Sequence, residues 1–149
     1  MGRDDPARAP VRALLEEHLR HMHSITPPES VHALDLDALR APGITFWTAR
    51  AGDSLLGCCA LRELDPAHGE IKSMRTPDAW RGYGIGRAML VHLIAVARAR
   101  GYRRLSLETG SMAEFVAAQR LYASHGFEVC GPFADYGPDP NSLFMTRGL

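Results

Sequence analysis

The sequence predicts a single mixed α/β domain, an α+β sandwich of helices on a sheet, running over residues 1–149. Three observations carry that prediction. A β-branched and aromatic run, Ile44–Arg50, an apolar run, Ser54–Arg62, and a third strand, Glu70–Thr76, are separated by Gly52-Asp53 and by Asp65-Pro66-Ala67-His68-Gly69; turn residues between such runs mark an antiparallel meander. The third run leads through a long amphipathic segment to a further strand, Arg103–Glu108. That β-α-β step favours a parallel pair with a right-handed crossover. Finally, 149 residues with 46% hydrophobic and 23% charged side chains suit one domain with one substantial core.

Each element has its own signal. Val11, Leu14, Leu15, Leu19 and Met22 share one helical face after Pro10, which is tolerated in a first turn; Thr26-Pro27-Pro28 breaks the helix. A short helix is expected over Asp35–Arg40, capped by Asp35 and stopped by Pro42-Gly43. No strand is evident in Gly2–Pro10. After Pro77-Asp78 a glycine-rich stretch opens a helix with Ile85, Met89, Leu93, Val96 and Ala97 on one face, closed by Gly101. Leu105 and Leu107 alternate with Ser106 in the next strand, and Thr109-Gly110-Ser111 is a loop. A helix over Ala113–His125 closes at Gly126, and strands Phe127–Gly131 and Ser142–Thr146 flank the loop Pro132–Pro140.

Composition excludes several function classes. Seventeen basic residues balance seventeen acidic ones, so no basic field reaches out to nucleic acid or an anionic membrane. No apolar run approaches the roughly 18 residues of a membrane span. The start Met1-Gly2-Arg3-Asp4-Asp5-Pro6 lacks the parts of a secretory signal. Three cysteines, Cys58, Cys59 and Cys130, form neither a disulfide framework nor a zinc spacing. Cys58 and Cys59 are neighbours on a strand and so point to opposite faces as small buried hydrophobes. A cytoplasmic globule is the expectation. His18, His21, His23 and His32 cluster in sequence, but no carboxylate or cysteine follows at helical spacing, and no metal site is expected.

The strand–glycine–helix junction Arg81-Gly82-Tyr83-Gly84-Ile85-Gly86 carries the chemistry. Glycines at alternate positions let a ligand approach the backbone. The free N–H groups and dipole of the helix start then favour a pyrophosphate, with Arg81 and Arg87 alongside for charge-assisted contacts. Such a triplet can also simply tighten a corner. A dinucleotide fingerprint fails on spelling, because its last glycine falls on Arg87 or Met89, and the Gly-Lys-Ser/Thr of a Walker loop is absent.

The same hexapeptide resembles the (Arg/Gln)-x-x-Gly-x-(Gly/Ala) signature of the GNAT superfamily of acetyl-CoA-dependent N-acetyltransferases. Ala118-Gln119-Arg120-Leu121-Tyr122-Ala123-Ser124-His125-Gly126-Phe127 is similar to that family's A-x-x-L-Y-x-x-x-G-F segment. The resemblance implies a central, mostly antiparallel, splayed sheet flanked by helices. It also implies acetyl-CoA as acetyl donor, its pyrophosphate on the amides around Arg81, Gly82, Tyr83, Gly84, Ile85, Gly86 and Arg87. The pantetheine arm would pair with the edge of Met74-Arg75-Thr76, and the coenzyme would run past Ala118. By the same resemblance, Tyr122 is the acid that protonates the departing thiolate. One departure stands out: the family often has Asn three residues before the motif alanine, where this chain has Phe115, so an apolar contact replaces an amide.

Acetyl transfer needs a neutral amine, so a base is expected. Glu70, eleven positions before Arg81, matches the place where some members carry a catalytic glutamate. Glu108, at the C-terminal end of the neighbouring strand, and a water chain are the alternatives. Glu29 and His32, with Glu108, are expected to line the acceptor site, and Trp80 and the Pro132–Asn141 loop to supply other walls. The expected reaction is direct attack by a small-molecule primary amine in a ternary complex. Protein or peptide N-acetylation and a non-catalytic acyl-CoA sensor are the alternatives. A homodimer fits the family.

Overall fold

The structure, a computed structural model, describes residues 1–25 and 36–149. In chain order its elements are β1 (Gly2–Arg3), α1 (Ala9–Ile25), α2 (Leu36–Leu39), β2 (Ile44–Ala51), β3 (Ser54–Asp65), β4 (His68–Arg75), α3 (Ile85–Ala99), β5 (Arg104–Gly110), α4 (Val116–Ser124), β6 (Glu128–Cys130) and β7 (Ser142–Gly148). Single 3₁₀ turns at Asp78–Trp80 and Ala113–Phe115 precede α3 and α4. Among the described residues the strands form one seven-stranded sheet in the order β1-β2-β3-β4-β5-β7-β6. Every pairing is antiparallel except β4 with β5, the pair joined by the α3 crossover. The mixed α/β fold with a mostly antiparallel sheet is thus the observed one.

Side-chain alternation divides the core into two layers. Phe46, Cys58 and Ala60 face Val11, Leu14 and Leu15 of α1 and Leu39 of α2. Their immediate neighbours Trp47, Cys59 and Leu61 face Met89, Leu90, Leu93 and Ala97 of α3 and Tyr122 of α4. Cys58 and Cys59 are both fully buried, one in each layer, as strand geometry requires.

The first strand, not evident in the sequence, is present. It is only two residues long, pairing Gly2 with Thr48 and Arg3 with Trp47. What fixes it is Asp4, whose amide donates to the Phe46 carbonyl at 3.0 Å and whose carboxylate accepts from Thr48 Oγ1 at 2.8 Å, Arg50 at 3.0 Å and Arg8 at 2.8 Å. Burial alone would raise the Asp4 pKa; the hydrogen bonds outweigh it and hold it at about 2.

Elsewhere the boundaries shift by a residue or more. The meander strands extend to Asp65 and back to His68. The expected helix over Ala113–His125 begins as the 3₁₀ turn and becomes α-helical only at Val116. No described helix is long and apolar enough to cross a membrane.

Candidate functional site

Two strands that begin paired and then part make the site. β4 and β5 are hydrogen-bonded from His68↔Arg104 to Ile71↔Leu107, and the pairing stops there although both strands run on to Arg75 and Gly110. A bulge in β4 helps to bend it away. Two residues of β3 span the register from Ala60↔Lys72 to Cys58↔Arg75, leaving one extra residue on β4. Ser73 sits in that stretch with φ 52°, a left-handed conformation that a non-glycine side chain adopts only when its surroundings impose it. Cys58 Sγ donates to the Ser73 carbonyl at 3.4 Å.

The opening between the strands is a cleft of about 420 Å³. Met74 and Arg75 line it from β4 and Thr76 from just beyond it, Leu107, Glu108 and Thr109 from β5, His18, His21 and Met22 from α1, and Ala118, Leu121 and Tyr122 from α4. Arg81, Gly82, Gly84, Ile85 and Gly86 form one end. Gly82 and Gly84 hold φ of 83° and 79°, which side chains other than glycine resist. Gly84 is the N-cap of α3, and no side chain caps the helix, so its first N–H groups remain available to an anion. Gly86 serves packing instead, since a Cβ there would come within 3.3 Å of Leu121 on α4. This donor set fits a coenzyme A pyrophosphate, and the unpaired inner edge of β4 fits an extended amide-bearing arm.

Glu70 lies on β4 before the parting of the strands and lines the cleft with no exposure at all. Its Oε2 accepts from the Tyr136 hydroxyl at 2.6 Å and from Lys72 Nζ at 3.4 Å. Lys72 Nζ also donates to the Tyr136 oxygen at 2.7 Å. Arg62 approaches Oε1 to 3.9 Å, too far for a hydrogen bond, and that oxygen has no hydrogen-bond partner among the described residues. Burial foremost, then the Glu70 charge, raises the Tyr136 phenol above its ordinary range, so Tyr136 is a donor to Glu70 at neutral pH. On the same face, His68 Nε2 lies 2.7 Å from Ser106 Oγ, which lies 2.9 Å from Thr146 Oγ1.

Tyr122 is buried in the α3 layer, edge-on to Phe127, yet lines the cleft. Burial, then Cys59 and Glu108, pushes its phenol well above the usual value, which keeps it protonated. His18 is held down at about 4, by burial first and then by Arg75, His21 and Arg81; it is neutral at pH 7.

Most of the residues expected at the site therefore meet at one cleft. Tyr83 and Arg87 do not line it: Tyr83 is 71% exposed and packs against Trp80, and Arg87 is exposed. Their side chains stand outside the cleft, whose end is formed by Arg81, Gly82, Gly84, Ile85 and Gly86. Arg81 lines the cleft while pairing with Asp78 at 3.0 Å. Phe115 lines it too, its ring laid on Gly110 so closely that any Cβ there would collide with it. Trp80 forms part of the wall. Glu29 and His32 lie outside the described residues. Tyr136 and Lys72 were not singled out from the sequence as site residues. No group of three or more potential metal-ligating side chains occurs among the described residues.

Residues 11–127 match the model of the acetyltransferase (GNAT) family. The chain is 57% identical over 146 residues to the uncharacterised N-acetyltransferase YsnE of Bacillus subtilis, covering 98% of this chain and 97% of that one. It is 40% identical over 150 residues to an IAA acetyltransferase of Azospirillum brasilense, covering 100% and 97%. Its fold is similar to that of a Klebsiella pneumoniae protein described as an acyl-CoA N-acyltransferase, with a TM-score of 0.80, 28% identity and coverage of 99% and 95%. A GNAT acetyltransferase of Elizabethkingia anophelis with acetyl-CoA bound shares the fold at a TM-score of 0.68 and 17% identity, covering 99% and 96%.

Proposed function

Because the chain belongs to the GNAT family of acetyltransferases, we propose that it moves acetyl from acetyl-CoA to the primary amine of a small molecule, by direct attack in a ternary complex. The observation that carries this is the coincidence of two features in one cleft: a glycine turn that leaves the first amides of α3 without a side-chain cap, and a buried carboxylate with one oxygen lacking a hydrogen-bond partner among the described residues.

Acetyl-CoA supplies the thioester. The turn Gly82–Gly86 holds its pyrophosphate, Met74–Thr76 offer backbone groups to its arm, and Phe115 and Ala118 flank its path. Glu70 takes the proton that the ammonium must lose, at Oε1 through a bridging water, because the carboxylate itself is out of solvent contact. Tyr136 and Lys72 hold Oε2 and keep the carboxylate oriented. As the C–N bond forms and the C–S bond breaks, Tyr122 gives its phenolic proton to the thiolate, and the second proton that the nitrogen sheds on becoming an amide restores the phenol. Glu108, on the same cleft wall and less buried, is the second candidate for the base. A homodimer is part of the same proposal.

The test is acetyl-CoA-dependent thiol release across amino acids, polyamines, aminoglycosides and peptides, with N-acetylated product identified by mass spectrometry. Release with a small amine is the expected result. Release with peptides only would redirect the reading to protein acetylation. Coenzyme binding with no turnover on any amine would leave a sensor.

A further inference from the structure

Arg75 is largely withdrawn from solvent and thinly partnered. Its side chain is 11% exposed, its one ion-pair contact is a long 3.4 Å approach to Glu17, itself 46% exposed, and its Nε has no hydrogen-bond partner among the described residues. A guanidinium carries five donors in a planar fork suited to a bidentate anion. Withdrawing such a charge from water is costly unless an anion meets it.

The surroundings say where that anion would lie. Arg75 lines the cleft and also an adjoining cavity of about 370 Å³ under the end of α1. There Arg20, Arg75, Arg81 and His21 stand against the carboxylates of Glu17 and Asp78. Asp78 is already paired with Arg81 at 3.0 Å, which leaves Arg20 and Arg75 facing Glu17. The face is settled by register. Arg75 pairs with Cys58, whose side chain belongs to the α1 layer, whereas Met74 packs in the α3 layer. The glycine turn opens α3, on the other side of the sheet. Arg75 therefore serves the α1 side of the cleft, away from the helix that receives the pyrophosphate.

We propose that Arg75, with Arg20 and His21 of α1 beside it, is a carboxylate seat on the acceptor side of the cleft, and that the acceptor is an amino-carboxylic acid. The proposal rests on the acetyl-transfer reading above. A carboxylate held by Arg75 fixes one end of the acceptor. Its amine then reaches toward the wall that carries Glu70 and Glu108.

The experiment uses matched pairs, each amino acid against its own carboxamide, with rates referred to the free-base amine. The expected preference for the acid is about tenfold or more in kcat/KM, the fold-change of one hydrogen-bonded charged pair. It should fall to within about threefold in Arg75→Gln and survive in part in Arg75→Lys. Taking the ratio within each variant cancels general damage to the fold. Equal rates for acid and amide in the wild type overturn the seat, as does a preference that survives in Arg75→Gln. An Arg75-dependent difference between coenzyme A and dephospho-coenzyme A, with no acid preference, assigns the guanidinium to the coenzyme and overturns the proposal. Titration of N-acetyl amino acids against N-acetyl amino amides into the coenzyme A-bound protein separates the two readings. Tighter, Arg75-dependent binding of the acids with no turnover on any amine keeps the seat and overturns acetyl transfer. Turnover with no acid preference does the reverse.

Discussion

Replacing Glu70 with Gln removes a negative charge that has no solvent exposure. Two consequences are expected, and they can be measured separately. The first is on stability. Lys72 Nζ, with a side chain only 7% exposed, lies 3.4 Å from the carboxylate. At an effective dielectric of about 20 that attraction is on the order of 5 kcal/mol. Glutamine keeps an oxygen for Tyr136 and Lys72, so part of the interaction remains, and Arg62, 39% exposed at 3.9 Å, adds little. Loss of about 3 kcal/mol is expected, within the range for breaking a buried pair by removing one partner. For a domain of this size that lowers Tm by roughly 6–12 °C. Removing the Lys72 charge as well, in Glu70→Gln/Lys72→Met, should recover part of the loss. The second consequence is on chemistry. Turnover should fall by roughly 10²–10⁴-fold, most severely at low pH where neutral amine is scarce, and the double variant should not restore it. Urea unfolding reports the first effect and a pH–rate profile of thiol release the second. A wild-type pH–rate profile in Glu70→Gln would refute the base assignment and promote Glu108 or a water chain. Unchanged stability would refute the claim that Glu70 and Lys72 are an obligatory buried pair.

Three further outcomes are expected. Tyr122→Phe keeps the edge contact with Phe127 and loses only the proton donor; turnover should drop by up to about 10²–10⁴-fold with near-normal acetyl-CoA affinity, and full turnover with chemistry rate-limiting would leave Tyr122 a packing residue. A Cβ at Gly84 meets no atom within 4 Å, but Gly84→Val must hold φ at +79°, costing about 1–2 kcal/mol. It should also block the amides and weaken coenzyme binding, whereas Gly101→Val, at φ +81° and also in open space, should carry similar strain with unchanged affinity; equal affinities in calorimetry would move the phosphate site elsewhere. The depressed pKa of Asp4, about 2, means that its contribution to stability is present above its unfolded value of about 3.9 and is lost as pH falls through about 2; Asp4→Asn should flatten the stability–pH curve in that window, as followed by urea unfolding.

What could be read in advance was whatever depends on local pattern. The β-α-β step, the glycine turn and the α4 motif are short-range features, and each came out where its residues stand. The first strand was missed because Gly2 and Arg3 carry no strand pattern; their pairing depends on Asp4 reaching Thr48 and Arg50, more than forty positions away. Tyr136 was missed as a site residue for a related reason. Its tract lies in a proline-rich loop, and only the fold brings it to Glu70, sixty-six positions earlier. Glu70 and Lys72 did carry a signal, since residues two apart on a strand share a face. The Ser73 bulge carried none, because a left-handed serine looks like any other in sequence. Tyr83 was expected at the site because it lies between the glycines, and Arg87 because it flanks them. Both are exposed and neither lines the cleft, and exposure depends on how the turn packs, which the local spelling does not encode.

A crystal structure of the protein with acetyl-CoA tests the central claim most directly. The account predicts the pyrophosphate on the amides of Gly82–Gly86, the arm between β4 and β5 along Met74–Thr76, and the thioester sulfur within hydrogen-bond reach of Tyr122, with the acetyl group on the α1 side of the sheet facing Glu70 and Glu108. Coenzyme bound outside the parting of β4 and β5, or a thioester that Tyr122 cannot reach, would contradict it.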